Sequence, residues 1–297
     1  MPRVTLLIPS FNPYEILSRA LSSALNQTRP ADEVIVIDDS PGRDLSELIA
    51  TEFPGVRYFP CKRNVGAAEA RNIGIRAATG EVIATLDDDD RLLPAYLERQ
   101  MASFETDPDV VLSATDCLHY PLHGGSHYSS GTKLPCFASA LLHCVRQGML
   151  LTMSQVAFRR DAVVAVGMLN PRFSIVHDHD LYLRLMKAGR LAHVPECLVE
   201  KHEQHGSISR NVPRMLEELE QMYEGFIADP SNASLIGSVR QFRADILAGF
   251  AGTCVLHARD FWTGQRYLYR AMAQHPIAAV KSIYRRTRAK VVRQIAS

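Results

Sequence analysis

Three features that would place this chain in a membrane or outside the cell are missing from its sequence. No stretch reaches the ~18 apolar residues of a membrane span, and the short apolar run after Met1 does not have the form of a secretory signal. The six cysteines are scattered without a CxxC pair, which argues against a zinc knuckle and a disulfide framework. We therefore expect a cytoplasmic chain that is neither secreted by that route nor integral to a membrane.

Glycine-rich phosphate loops are also missing. The first predicted strand leads into Pro9–Asn12 instead of GxGxxG, and GxxxxGK[ST] occurs nowhere. Both motifs hold phosphates with backbone N–H groups. Their absence argues against a dinucleotide-dependent oxidoreductase and against a P-loop protein.

Acidic residues are absent from the last part of the chain. Residues 261–297 contain eight basic residues and no Asp or Glu, so this segment carries +8 and the remainder −7, against a formal net charge of +1. Apolar residues at helical spacing from Ile277 to Ile295 predict a basic amphipathic helix. This helix either contacts an anionic membrane peripherally or docks as a solvated helix. No nucleic-acid-binding module accompanies the charge, so no nucleic acid partner is expected.

The 297 residues are 46% hydrophobic, which is ordinary for a globular protein. Apolar runs alternate with longer helical patterns, which predicts a parallel sheet with crossover helices. The predicted strands lie near Val4–Ile8, Glu33–Ile37, Val56–Phe59, Glu81–Leu86 and Val110–Ala114, and the helices near Tyr14–Asn26, Leu45–Phe53, Ala67–Ala78 and Pro94–Glu105. Gly80 is expected to be a left-handed helix cap.

The alternation of apolar runs and helical patterns stops at residues 119–150. This change predicts a long irregular loop at a binding site. Regular patterns return with Gln155–Arg159, helices at Asp161–Val166 and Asp178–Ala188, and a strand at Ala192–Val199, and then predict helices at Met215–Ile227, Leu235–His257, Thr263–Gln274 and Ile277–Ile295. The predicted fold is α/β, with a mixed, mostly parallel sheet flanked by helices in residues 1–211 and a helical appendage in residues 212–297.

Four adjacent carboxylates, Asp87–Asp90, follow the apolar run that ends at Leu86. Two carboxylates ~4 Å apart repel by about 4 kcal/mol at an effective dielectric of about 20, and a bound divalent cation relieves this repulsion. The alternative is a solvated turn or cap before a helix that contains Pro94 in its first turn. Since ligands bind beyond the carboxyl ends of parallel strands, polar residues there are candidate site residues.

The sequence contains several motifs in a recognisable order, which are Ile8–Asn12, Glu33–Ser40, Asn64–Gly74, Ala77–Glu81, Leu86–Asp90 and His177–Arg184. Together they resemble the motifs of the inverting family 2 glycosyltransferases, which have the Rossmann-like GT-A fold. The resemblance runs from Val4 to about Arg210. It implies transfer of a sugar from a nucleoside-diphosphate-sugar to a glycan, lipid-linked or other hydroxyl acceptor, in polysaccharide, glycolipid or other cell-surface glycan synthesis. It also implies Mn²⁺ or Mg²⁺ as a cofactor.

The resemblance assigns roles to individual residues. The nucleotide-sugar would be bound by Pro9, Phe11, Asn12, Asp38, Asp39, Asn64, Arg71, Asp87 and Asp88, of which Asp88 stands at the variable position of the family's acidic motif. Phe11 would lie against the base, and Asp39 would accept its imide N–H, which suits uracil or thymine. The alternatives are a core aromatic for Phe11 and helix caps for Asp38 and Asp39.

Arg71 has no carboxylate among its helical neighbours. It would pair with the donor phosphates or with Asp39, unless it is a surface arginine. Asp89 would be the main metal ligand, with Asp87 as a second. His205 would complete the metal shell, with His202 as the alternative.

Asp178 is the predicted base that deprotonates the acceptor hydroxyl. The alternative is that Asp178 is the amino cap of its helix. The family usually has Glu where this chain has His177, so Asp180 remains a reserve candidate.

Two other functions fit this architecture less well. A sugar-nucleotide nucleotidyltransferase should have a glycine-rich loop with Arg and Lys after the first strand, where this chain has Pro9–Asn12. A non-catalytic sugar-nucleotide or glycan-binding module is favoured only where the acceptor-side aspartate is missing, and Asp178 is present.

Overall fold

The computed structural model describes residues 1–121, 128–130, 151–204, 208, 211–256 and 260–282. The described residues form two compact units, one within residues 1–211 and one within residues 212–282. The strands of the first unit are β1 (Val4–Ser10), β2 (Glu33–Asp38), β3 (Arg57–Pro60), β4 (Val82–Thr85), β5 (Arg91–Leu92), β6 (Val110–Tyr120), β7 (Tyr128–Ser130), β8 (Val156–Arg159) and β9 (Arg190–His202). Its helices are α1 (Tyr14–Leu25), α2 (Ser46–Glu52), α3 (Ala67–Ala77), α4 (Tyr96–Thr106), α5 (Arg160–Ala165) and α6 (His177–Ala188), and a short 3₁₀ helix at Met153–Gln155 precedes β8.

All these strands belong to one mixed sheet. Its order is β3-β2-β1-β4-β8-β6-β9-β5, and β7 pairs with β6. Strands β1 to β4 are mutually parallel, β6 is parallel to β9, β8 is antiparallel to β4 and β6, and β5 is antiparallel to β9. The predicted mixed, mostly parallel sheet flanked by helices is therefore confirmed. Sequence patterns do not predict β5, because two residues are too few to show periodicity.

Helices cover both faces of β1. Val4, Leu6 and Ile8 belong to the core formed with α1 and α4, whereas Leu7 faces α3 on the other side. A Cβ at Gly74 would lie 2.1 Å from Leu7 Cδ1, so glycine lets α3 approach the sheet closely. Burial on both faces explains why β1 is an uninterrupted apolar run instead of an alternating one.

Gly80 has a different role from the expected one. It is not in the left-handed region of backbone conformation, so the expectation of a left-handed cap is wrong. A Cβ at Gly80 would lie 2.6 Å from the backbone nitrogen of Thr5. Glycine is needed here because the chain passes directly against β1.

The register of the sheet brings the carboxyl ends of neighbouring parallel strands together. Ser10 pairs with Asp38, so β1 and β2 end side by side. The chain leaves the sheet after Thr85 of β4 and rejoins it at β5, where Arg91 pairs with Glu200 of β9. The acidic run therefore lies in a connection that is fixed at both ends.

The second unit is helical throughout its described part. It contains α7 (Val212–Ala228), a 3₁₀ helix (Pro230–Leu235), α8 (Ile236–Leu256), α9 (Phe261–Gln274) and the helical residues 276–282. The predicted helical appendage is confirmed as far as residue 282, and the rest of the predicted helix Ile277–Ile295 lies outside the described residues. Of the helices described here, none has the length and apolar character needed to cross a membrane.

Candidate active site

The run Asp87–Asp90 forms a tight turn between β4 and β5. The Asp90 N–H donates to the Asp87 carbonyl oxygen at 3.1 Å, as in a β-turn. Side-chain oxygens of Asp87, Asp89 and Asp90 lie within 4.8 Å of one another. A set of hard carboxylate oxygens fits Mg²⁺ or Mn²⁺. The turn brings together the two predicted metal ligands, Asp87 and Asp89, and adds Asp90.

The acidic turn holds more negative charge than its neighbours balance. Burial is the main cause that raises the pKa of Asp89 and of Asp90 above the usual carboxyl range, and repulsion from the other aspartates adds to it. Burial also lowers the pKa of Lys201 in β9, but the three carboxylates outweigh this effect and raise the lysine pKa. A divalent cation at this turn would stabilise the ionised carboxylates.

Ser154 connects the turn to the sheet. Its Oγ accepts the Asp87 N–H at 3.0 Å, and its hydroxyl donates to Asp90 Oδ2 at 2.6 Å. The His202 N–H donates to the other oxygen of Asp90 at 3.2 Å. Sequence reasoning missed Ser154, since no motif marks it. It also missed Lys201, although the position of Lys201 near the carboxyl end of β9 is a signal that could have found it.

Asp88 points toward the loop after β1. Its Oδ2 accepts the N–H groups of Phe11 and Asn12, both at 2.9 Å, and its Oδ1 accepts from Asn12 Nδ2 at 2.8 Å. Asp88 is buried and holds this loop in position, and its direct contact with the nucleotide-sugar stays a prediction. The Phe11 side chain is 59% exposed, so the alternative of a core aromatic is wrong.

Asp38 lies behind the same loop and is fully buried. Arg43 donates to it from Nε at 2.8 Å and from Nη2 at 2.6 Å, and the Tyr58 hydroxyl donates at 2.5 Å. Arg43 also donates to the Asn12 carbonyl oxygen. Both oxygens of Asp38 therefore have partners in Arg43, and the nucleoside contact of Asp38 stays a prediction. The alternative of a helix cap is wrong, since Leu45 precedes α2 as its N-cap.

Asp39 shapes the loop that leads into α3. Its two oxygens accept the N–H groups of Val65 at 2.6 Å and Gly66 at 2.8 Å. Each oxygen keeps a second lone pair, so the contact of Asp39 with a base stays a prediction. Asn64 is exposed immediately before this loop, and Pro9 is buried in β1.

Arg71 connects the acidic turn to α6. It is 4% exposed, so the alternative of a surface arginine is wrong. Its Nη2 pairs with Asp87 Oδ1, not with Asp39. Its Nη1 donates to the Ala67 carbonyl oxygen at 3.1 Å and lies 3.5 Å from His177 Nε2. A fixed positive charge therefore lies beside the predicted metal ligand Asp87.

Asp178 lies in the first turn of α6. The N-cap residue of this helix is Val176, so the alternative of an amino cap is wrong for Asp178. Burial raises the pKa of Asp178 to about 6, while Arg71 lowers this pKa and Asp87 raises it. Asp178 is therefore mostly ionised at neutral pH and able to accept a proton.

The reserve candidate Asp180 is in a different environment. Its Oδ2 pairs with Arg184, which donates from Nε at 3.1 Å and also from Nη2. Asp178 also has a partner, since its Oδ1 accepts the His179 N–H at 2.7 Å. Asp178 as the base, with Asp180 in reserve, stays a prediction.

The two candidate histidine ligands have different outcomes. His205 lies outside the described residues. The His202 ring stacks on Tyr120 with ring centroids 4.7 Å apart, and its Nε2 lies 3.6 Å from Glu200 Oε2. Among the described residues, the ring of His202 does not join the cluster formed by Asp87, Asp89 and Asp90. His202 contacts Asp90 through its backbone N–H.

A mixed sheet with an acidic turn beyond the carboxyl end of β4 is the arrangement of the GT-A fold. Solved structures share this fold. TarS 1-349 of S. aureus in complex with UDP-GlcNAc is similar with a TM-score of 0.72 and 14% identity, over 95% of this chain and 84% of that chain. The mannosyltransferase PcManGT of Pyrobaculum calidifontis in complex with GDP-Man and Mn²⁺ is similar with a TM-score of 0.61 and 18% identity, over 98% of this chain and 81% of that chain.

The family follows from the sequence comparison. The profile of Glycosyl transferase family 2 matches residues 5–163, more than half of the chain, and the chain belongs to this family. It is 29% identical over 190 residues to the amylovoran biosynthesis glycosyltransferase AmsE of Erwinia amylovora, covering 63% of this chain and 70% of AmsE. Family membership supports glycosyl transfer as the class of reaction.

Proposed function

We propose that this family 2 glycosyltransferase is an inverting, divalent-metal-dependent enzyme. It transfers a sugar from a UDP- or dTDP-linked donor to an acceptor hydroxyl, in the synthesis of a polysaccharide, glycolipid or other cell-surface glycan. The observation that carries this proposal is the convergence of three carboxylates, Asp87, Asp89 and Asp90, with Arg71 at one end of the sheet. Arg71 Nη1 lies 3.5 Å from His177 Nε2, and Asp178 follows His177 in α6, which supports a role for Asp178 beside these charges.

The donor nucleoside would lie at the loop after β1. Phe11 presents an exposed ring for stacking on a base, and Asp88 and Arg43 hold the backbone of this loop in place. A carboxylate at Asp39 can accept an imide N–H, which uracil and thymine have. Among proteins of similar fold, one structure contains UDP-GlcNAc and another GDP-Man, so the choice of base rests on Asp39 and not on the fold.

The donor diphosphate would lie at the acidic turn. Asp87, Asp89 and Asp90 are the residues that would hold Mn²⁺ or Mg²⁺, with His205 as a further predicted ligand. Such a cation neutralises the negative charge that develops on a departing diphosphate. Arg71 adds a fixed positive charge beside Asp87 and keeps that carboxylate oriented.

Transfer is proposed to occur in a single displacement. Asp178 takes the proton of the acceptor hydroxyl while the hydroxyl oxygen forms a bond to the anomeric carbon. The bond between that carbon and the diphosphate oxygen breaks at the same time, and its electron pair leaves with the nucleoside diphosphate. Attack from the face opposite the leaving group inverts the anomeric centre.

The proposed place of action is the cytoplasm, with a glycan or lipid-linked acceptor. Among the described cysteines, Cys61, Cys197 and Cys254 are not in disulfides, which supports a reducing compartment. Peripheral membrane contact by the predicted helix Ile277–Ile295 also belongs to this proposal, and most of that helix lies outside the described residues.

A thermal shift experiment tests the donor and metal assignments together. UDP, dTDP and GDP are each added with and without Mn²⁺, since a ligand that binds only the folded state raises the melting temperature. We expect stabilisation by UDP or dTDP only when Mn²⁺ is present, and none in the Asp89→Asn variant. Stabilisation by GDP alone would contradict the donor assignment, and an unchanged response of Asp89→Asn would contradict the metal assignment.

A further inference from the structure

Helix α9 exposes an aromatic face. Trp262 is 79% exposed and Tyr269 is 78% exposed, and Phe261 and Met272 are also exposed. Together with Arg266 these residues are called the α9 face. Large aromatic side chains are rarely left this open to water on a surface that has no partner.

The opposite side of α9 is already packed. Gly264, Tyr267 and Ala271 are buried, and a Cβ at Gly264 would lie 2.4 Å from Val255 Cγ2 of α8. Trp262, Arg266 and Tyr269 follow each other at intervals of four and three residues, so they share the outward side of the helix. The outward side of α9 therefore presents two large aromatic side chains beside the polar residues Gln265 and Arg266.

The apolar surface continues past the end of α9. Ile277 is 63% exposed and Val280 is 55% exposed in the helical residues 276–282. All ionic charge from residue 261 to residue 297 is positive, since eight Arg and Lys occur there without any Asp or Glu. Arg270 pairs with Glu220, so the exposed basic residues here are Arg266 on the α9 face and Lys281 beyond it.

We propose that the α9 face binds the surface of an anionic lipid bilayer. Trp and Tyr favour the interface between lipid and water, and each basic residue close to an anionic surface contributes about 1 kcal/mol. A second copy of this chain is the alternative occupant, and the experiment below distinguishes it from a bilayer. The inference rests on the second unit alone and does not depend on the proposed transferase chemistry.

Trp262 makes the α9 face directly observable, because it is the single tryptophan of the chain. The intact protein is titrated with vesicles of phosphatidylcholine alone and with vesicles that also contain phosphatidylglycerol. We expect the fluorescence of Trp262 to shift to shorter wavelength, and to become protected from acrylamide, only with the anionic vesicles. Brominated lipid should quench this fluorescence.

Cosedimentation with the same vesicles measures the contribution of each residue. The Trp262→Ser/Tyr269→Ser variant should bind roughly tenfold more weakly, because two side chains that would enter the interface are lost. Arg266→Gln should bind roughly fivefold more weakly and depend less on salt. The matched control Leu25→Ser/Val164→Ser removes two exposed apolar side chains of the first unit and should bind like the unchanged protein.

Three results would overturn the inference. The first is cosedimentation with unchanged Trp262 fluorescence, which would assign binding to another part of the chain. The second is a fluorescence shift that grows with protein concentration in the absence of lipid, which would assign the α9 face to a contact between copies. The third is a shift that appears with an acidic protein but not with anionic vesicles, which would assign the face to a protein partner.

Discussion

The acidic turn of the first unit is negatively charged and largely buried, whereas the α9 face of the second unit carries Arg266 and is exposed to solvent. Asp90 is 2% exposed and lies among other carboxylates, whereas Trp262 is 79% exposed. The like charges of the turn are adjacent along the chain, and partners from distant segments, Ser154 and His202, hold them in place. The α9 face is formed by neighbours on one helix.

This difference shows two ways in which a chain prepares a binding surface. Burying carboxylates together raises the free energy of the folded state, so the rest of the unit must stabilise the turn through residues such as Ser154 and Lys201. Exposed aromatic residues contribute little to the free energy of unfolding. Changes in the acidic site should therefore affect chemistry and stability strongly, and changes in the α9 face should affect neither.

The largest effect is expected for Asp178→Asn. An amide cannot accept the proton of the acceptor hydroxyl, so the turnover number should fall about 10³-fold. The dissociation constant for UDP with Mn²⁺ should not change, because the donor is held elsewhere. Steady-state kinetics and calorimetric titration measure the two quantities.

Asp180→Asn is the matched control for this experiment, since it changes the same residue type two positions away. It should retain turnover. If Asp180→Asn loses turnover while Asp178→Asn keeps it, the assignment of the base must be exchanged between the two residues.

Asp88→Ala should reduce the free energy of unfolding by about 3 kcal/mol, because two backbone N–H groups and the Asn12 amide lose a charged acceptor. Denaturant titration measures this change. Asp44→Ala removes an exposed aspartate that accepts from Ser46, and the resulting loss should be clearly smaller. Equal losses in the two variants would show that burial of Asp88 contributes nothing.

Asp89→Asn should remove the stabilisation that Mn²⁺ gives. At a metal concentration one hundred times the dissociation constant this stabilisation is about 2.7 kcal/mol. Thermal unfolding with and without Mn²⁺ provides the measurement. Glu47→Gln, which removes one exposed carboxylate from α2, should leave the metal effect intact.

The pH dependence of turnover should follow Asp178. Its pKa is raised to about 6, so the base is ionised above that pH and becomes protonated below it. Turnover should therefore fall on the acid side by about tenfold per pH unit. Arg71 lowers the pKa of Asp178, so Arg71→Gln should move the acid limb of the curve of turnover against pH to higher pH. A limb that stays in place in Arg71→Gln would argue against Asp178 as the titrating group.

The smallest effect is expected for Trp262→Ser measured without lipid. The free energy of unfolding should change by no more than about 0.5 kcal/mol, as for other exposed positions. Turnover with a water-soluble acceptor should not change. A large loss of stability would mean that Trp262 is packed, and the contrast between the two regions would then fail.

Local patterns were sufficient to predict much of the sheet. Apolar runs predict β1, β2 and β4, because these strands are buried on both faces and each run is long enough to show its character. Asp87, Asp89, Arg71 and Asp178 were identified from motifs. Their mutual contacts were not, since the motifs allow Arg71 to pair with the donor phosphates or with Asp39, and its partner in the structure is Asp87.

The sequence by itself determined where the acidic residues, the strand ends and the amphipathic helices occur, because these features depend on residues that are close together along the chain. Only the tertiary structure decided which aspartates face one another and which face the loop after β1. That choice depends on the pairing of β5 with β9 and on Ser154, which bring together segments more than sixty residues apart. The direction of a side chain in a turn is set by the hydrogen bonds it finds there, and distant strands supply those partners.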